Sequence, residues 1–139
     1  MVYFLIPKGE IISTEQLAQR LEAFFARPQV QDEEGACVSM KAQTVYVSVG
    51  DWNLFVVPRK KRGTGGENAG MLHSCTGQKY KARKYPARWE LYSSNDPDET
   101  YNSVFMWTWD EIFTLIPGAV AIDPRTNTLL SHTASLEKD

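Results

Sequence analysis

Apolar and polar positions recur along this chain with periods that predict its elements one by one. Val2 to Ile6 is a short apolar run closed by Pro7, which reads as a first strand. Leu17, Leu21, Phe24 and Phe25 then recur at i, i+4, i+7 and i+8, so they fall on one helical face. Ahead of them, Ser13 is placed to cap the Gln16 amide, Gln16 to reach back, and Ile12 to pack on Leu17. Pro28 should stop this helix near Arg27. Gln31 to Gly35 follows as an acidic, solvated loop. Ala36 to Ala42 sets Val38 and Met40 against Ser39 and Lys41, the alternation of a half-buried strand.

The sharpest pattern lies between Val45 and Val56. Two alternating runs, Val45 to Val49 and Trp52 to Val56, flank Gly50-Asp51, a two-residue hairpin turn. Setting Val49 opposite Trp52 puts Val47 opposite Leu54 and Val45 opposite Val56, with all six on one apolar face. Tyr46 with Phe55 and Ser48 with Asn53 then share the other face. A slip of one residue would expose the apolar set, so the register is well determined.

Glycines at 63, 65, 66, 70 and 77 predict a long loop over residues 59–88, with no more than a short strand near Met71 to Ser74. Trp89 to Ser93 resumes strand alternation, and Asn95 to Glu99 forms an acidic turn around Pro97. Val104 to Trp107 reads as another strand. Thr108 and Glu111 have capping-box spacing for a helix from Trp109 to Ile116, closed by Pro117-Gly118. Ala119 to Ile122 and Thr128 to Leu130 are short strands about a turn, and the tail from Ser131 is polar and frayed. The segments 104–107, 109–116 and 119–122 have the order of a right-handed parallel crossover. The pattern as a whole predicts one α+β domain over residues 1–139, with a largely antiparallel sheet and two helices on one face. A flexible basic loop at 59–88 and a frayed tail at 131–139 complete it.

Charge changes this picture, because the formal net charge of −2 is unevenly spread. Residues 59–88 hold nine of the fifteen Lys and Arg residues and one acid, Glu67, for a formal +8. The remainder carries six basic and sixteen acidic residues, or −10. The basic residues are Arg59, Lys60, Lys61, Arg62, Lys79, Lys81, Arg83, Lys84 and Arg88, interleaved with Tyr80, Tyr85 and Trp89. Together they predict a surface for an acidic partner, with aromatic faces available for stacking. The competing expectation is self-neutralisation by the acidic segments 32–34 and 96–99, although surface pairs of that kind contribute only about 0 to 1 kcal/mol each.

An acidic protein is favoured as the partner, since a net negative chain lacks the long-range pull that general nucleic-acid binders use. By fold-level analogy alone, small acidic α+β chains serve as immunity or inhibitor proteins. Binding of nucleic acid or a nucleotide phosphate through the same residues is the second reading. A small enzyme using Cys75 or His73 is the third.

Motif chemistry is sparse. Gly63-Thr64-Gly65-Gly66-Glu67 has neither the P-loop spacing nor G-x-G-x-x-G, with Asn at 68. His73, Cys75, Cys37 and His132 lack zinc spacing. Asp96, Asp98 and Glu99 lack the order of a calcium loop, and Asp110 and Glu111 fit a helix N-terminus. No cofactor is implied. Two cysteines make no disulfide framework and point to a reducing cytoplasm. No apolar run approaches the roughly 20 residues of a membrane helix, and the first residues lack the basic start of a secretory signal.

Overall fold

The computed structural model describes residues 1–28 and 35–132. The acidic residues 31–34 and the tail at 133–139 lie outside the described residues. In chain order the elements are β1 (Val2–Ile6), α1 (Thr14–Phe25), β2 (Cys37–Lys41), β3 (Thr44–Val49), β4 (Trp52–Arg59) and α2 (Thr64–Thr76). They continue with β5 (Ala87–Ser93), α3 (Asn102–Leu115), β6 (Val120–Asp123) and β7 (Thr128–His132). The strands form one seven-stranded sheet in the order β2-β3-β4-β5-β1-β6-β7. The fold is α+β with an antiparallel sheet, as the pattern predicts, but it carries a third helix. The chain divides into two compact units, described in turn: residues 12–57 with 92–115, and residues 1–11 with 58–91 and 116 onward.

In the unit containing residues 12–57, β3 and β4 pair in the expected register, with Val49 opposite Trp52, Val47 opposite Leu54 and Val45 opposite Val56. Val45, Val47, Leu54 and Val56 are fully buried, and each such side chain contributes roughly 1.5 to 3 kcal/mol through burial. Leu17, Ala18, Leu21 and Phe25 form the buried stripe of α1, which packs on β2, β3 and α3. Ser13 does cap α1, but its hydroxyl accepts from the Glu15 amide (3.1 Å) rather than from Gln16. Between β2 and β3, Ala42 and Gln43 both take left-handed φ (50° and 68°), the backbone of a two-residue hairpin turn. The Gln43 carbonyl accepts from the Thr14 hydroxyl at 2.6 Å, which ties this turn to the start of α1.

The stretch Val104 to Trp107, expected as a strand, is helical and belongs to α3. Val104, Thr108 and Ile112 are buried at i, i+4 and i+8, a helical period that the local apolar run conceals. Both Asp96 carboxylate oxygens accept backbone amides, from Thr100 and Tyr101 (2.8 Å each), so the chain turns just before the helix begins. Thr108 is therefore not a cap. It lies inside the helix and donates its hydroxyl to the Val104 carbonyl at 2.9 Å. Trp107 packs on Phe24 and Phe25, with ring centroids 5.3 and 6.1 Å away.

In the other unit, β1 lies between β5 and β6, antiparallel to both. The expected parallel crossover does not form. Leu5 stands opposite Arg88 and Val120, and Tyr3 opposite Glu90 and Ile122. Leu5, Val120 and Ile122 form a core cluster with Leu72 of α2 and Tyr85. Phe4, Trp89 and Ala121 share the opposite face of these strands and are also buried. The tail is ordered further than expected, since β7 runs through Ser131 and His132.

Residues 64–76 are α2, not loop, and Met71 to Ser74 is helix rather than strand. The inward stripe of α2 is Thr64, Asn68 and Leu72, two polar residues out of three, so no hydrophobic period marks it. The glycines bracket the helix. Gly63 (φ 96°) precedes it, and Gly77 (φ 75°) closes it by donating to the His73 carbonyl at 2.8 Å.

Candidate anion-binding groove

The basic residues separate into two environments, and α2 makes the division. Arg88 turns inward and is 8% exposed. Its Nε donates to Glu90 Oε2 (2.7 Å), Nη1 to Asn68 Oδ1 (2.9 Å), and Nη2 pairs with Glu67 Oε1 (3.0 Å). Its guanidinium carbon lies 4.8 Å from the Tyr3 ring centroid. Asn68 also donates from Nδ2 to the Tyr85 and Ala87 carbonyls (2.8 and 3.0 Å). Glu90, 2% exposed, receives a second guanidinium from Arg59 at 3.2 Å. This network clamps α2 to β5, and it occupies Glu67, the one acid of the basic stretch, together with two of its arginines.

The other environment is a groove of about 530 Å³ where the β4–α2 connection meets the segment before β5. Lys60, Lys61, Arg62 and Gly63 line it from the β4–α2 connection, Gly65 and Gly66 from the first turn of α2, and Ala82, Arg83 and Pro86 from the segment before β5. Gly65 sits against the segment before β5. A β-carbon there would collide with the Ala82 carbonyl oxygen and approach the Pro86 α-carbon at 3.4 Å. The groove thus depends on a side-chain-free position in the first turn of α2.

Among the described residues, no ion pair reaches Lys60, Lys61, Arg62 or Arg83. The amides of Gly65 and Gly66 have no acceptor among them either, and the Gly63 cap supplies no side chain. Within the segment 96–99, Asp96 is committed to its own turn, accepting from the Thr100 and Tyr101 amides.

Of the residues expected at a partner surface, Arg59, Lys60, Lys61, Arg62, Lys79, Lys81 and Arg83 are exposed, and Tyr80 and Lys84 are half-buried. Tyr85, Arg88 and Trp89 are buried, so they leave that surface. Trp89 and Tyr85 fill core, and Arg88 anchors the clamp. The Lys84 ammonium lies 5.5 Å from the Tyr80 ring centroid, so this aromatic face already has a cation over it. Asn68 and Glu90 belong to no charge cluster or motif in the sequence. The signal for Glu90 was present, because Arg88 and Glu90 are two apart on a strand and share one face.

His73 and Cys75 are two residues apart on α2, and such positions do not face each other. Cys75 packs against the apolar cluster around Leu72, and burial pushes its thiol pKa up, away from a reactive thiolate. His73 Nδ1 is 3.0 Å from the Gln78 carbonyl, a contact in which it donates. Among the described residues, no three His, Cys, Asp or Glu side chains are grouped to hold a metal ion, and no helix is long and apolar enough to cross a membrane. Comparison of the chain with known protein families, with curated proteins and with solved structures finds no match.

Proposed function

We propose that this chain is a non-enzymatic binding protein that engages an acidic protein partner through the groove at the start of α2. The observation that carries the reading is the convergence of Lys60, Lys61, Arg62 and Arg83 on one groove without a counter-charge among the described residues. Cations held together in this way repel one another, and an acidic partner relieves that repulsion while gaining a steered encounter. Masking of an acidic face on another protein, in the manner of a small inhibitor or immunity protein, fits this surface by analogy. A protein partner fits better than a single-stranded nucleic acid. Stacking of bases needs free aromatic faces, and Tyr85 and Trp89 are buried. Exposed Cys37 and half-buried Cys75, both free thiols, suit a reducing cytoplasm.

The test is a triple charge reversal, Lys60→Glu with Lys61→Glu and Arg62→Glu, which leaves Arg59 and its bond to Glu90 in place. Binding to a polyglutamate probe and capture of the partner from host extract are measured beside circular dichroism. Loss of both interactions with the fold retained supports the reading. Undiminished binding by the reversed protein overturns it.

A further inference from the structure

We infer that the groove receives a phosphoryl group, borne on a side chain of the acidic partner; this rests on the reading above and narrows it. Three features of the site point to that chemistry over a lone carboxylate.

The first is charge. Four cations line the groove, and one carboxylate neutralises one of them. A phosphorylated side chain brings about −1.5 to −2 and three strong acceptor oxygens to the same point. The second is donor number. Arg62 and Arg83 line the groove from two separate segments, and a tetrahedral phosphoryl group has three oxygens to share between two guanidinium forks, whereas a planar carboxylate offers a single edge. The third is the floor. Gly65 and Gly66 line the groove and carry amides without acceptors among the described residues, at the positive end of the α2 dipole. At Gly66 the space a side chain would take is open, whereas at Gly65 the Ala82 carbonyl oxygen fills it.

Glu67, the one acid of this helix, does not fill the site, because it is drawn to Arg88 at 3.0 Å. The groove volume of about 530 Å³ exceeds the roughly 30 Å³ that one water occupies in the liquid many times over. The groove is therefore wide enough for a group presented on a polypeptide to reach it.

The experiment compares three probes on the full chain at constant ionic strength. One is an acidic peptide with a central phosphoserine, one is its counterpart with two glutamates replacing that charge, and one is inorganic phosphate. Fluorescence anisotropy reads peptide affinity, competition against the phosphopeptide reads phosphate, and amide chemical shifts locate the site. The expected result is a phosphopeptide bound about tenfold tighter than the glutamate peptide, consistent with stronger charge-assisted hydrogen bonds. Its largest shifts fall at Gly65 and Gly66, and inorganic phosphate is much weaker. Arg83→Ala should bring the two peptides to similar affinity. If both peptides bind the wild type equally and both are lost on triple charge reversal, the phosphoryl inference is overturned while the acidic-partner reading stands. Binding of neither peptide at low salt overturns both. Inorganic phosphate bound as tightly as the phosphopeptide overturns the partner-borne source and leaves a free-anion site.

Discussion

Gly65 and Ala82 approach so closely that a β-carbon on the glycine would meet the alanine carbonyl oxygen. Backbone cannot move aside as a flexible side chain can. Gly65→Ala should therefore destabilise the fold by about 1 to 3 kcal/mol, the usual cost of forcing an added methyl into packed structure. Gly66 is the internal control, one residue on, because nothing lies within 4 Å of its β-carbon position. Gly66→Ala should stabilise by about 0.5 to 1 kcal/mol through helix propensity. Urea denaturation of both variants measures the contrast, and equal effects would refute the close-approach argument.

Leu54 tests the hairpin. Fully buried and opposite Val47, it should cost about 2 to 5 kcal/mol on replacement by Ala, from lost burial and the cavity left behind. A loss under about 1 kcal/mol in the same denaturation experiment would mean that the inner face of β3 and β4 contributes far less than its burial implies.

This hairpin was legible in the sequence because its period of two, its Gly50-Asp51 turn and its apolar face all agree. α1 was legible for the same reason, with a capping serine ahead of a stripe of Leu and Phe. Helix α2 was not. Its buried positions are Thr64 and Asn68 before Leu72, and its glycines resemble those of a loop. Gly65 is there for contact with Ala82, and Gly63 and Gly77 for left-handed ends, which are tertiary and terminal roles that periodicity does not report. For α3, the run Val-Phe-Met-Trp at 104–107 hid an i, i+4 stripe that continues through Thr108. The cationic half of the groove was visible as a charge cluster. Which cations stay outside was not, because that depends on Arg88 meeting Glu90, Glu67 and Asn68 in space.

Arg88→Ala should be among the most destabilising charge deletions in the chain, at about 3 to 5 kcal/mol. It would leave Glu90 buried with one of its two guanidinium partners and strip Asn68 of a donor. Lys61→Ala, which removes an exposed cation without an ion pair among the described residues, should stay within about 0.5 kcal/mol. Thermal denaturation at matched pH compares the two, and similar midpoints would show that the clamp adds little.

The thiols should separate by reactivity. Cys37 is exposed, whereas burial raises the Cys75 pKa, so iodoacetamide near neutral pH should label Cys37 first. The linkage has a definite sign. A raised folded-state pKa favours the neutral thiol, so the associated stability is fully present below the ordinary thiol pKa and is lost as pH rises through the folded value. Mass spectrometry of the labelled chain should show Cys75 labelling rising only at more alkaline pH. Faster labelling of Cys75 than of Cys37 would contradict the burial and reopen a nucleophilic role.

Arg83 and Lys79 allow a local groove to be separated from a diffuse field. Both are exposed, and neither has an ion pair among the described residues, so Arg83→Glu and Lys79→Glu change the net charge identically. Only Arg83 lines the groove. A diffuse attraction would respond to the two reversals alike, with similar losses in on-rate that fade as salt is added. A partner seated between Lys60–Arg62 and Arg83 would respond unequally. Contacts made inside the groove persist where exposed charges are screened beyond about 8 Å at physiological ionic strength. Arg83→Glu should then cost at least about tenfold in affinity for an acidic peptide at that ionic strength, mostly as a faster off-rate. Lys79→Glu should cost less than about threefold, mostly in on-rate and chiefly at low salt. Stopped-flow association and dissociation rates for the two variants at two salt concentrations decide between these outcomes. Matched losses at both concentrations would mean that the groove does not seat the partner.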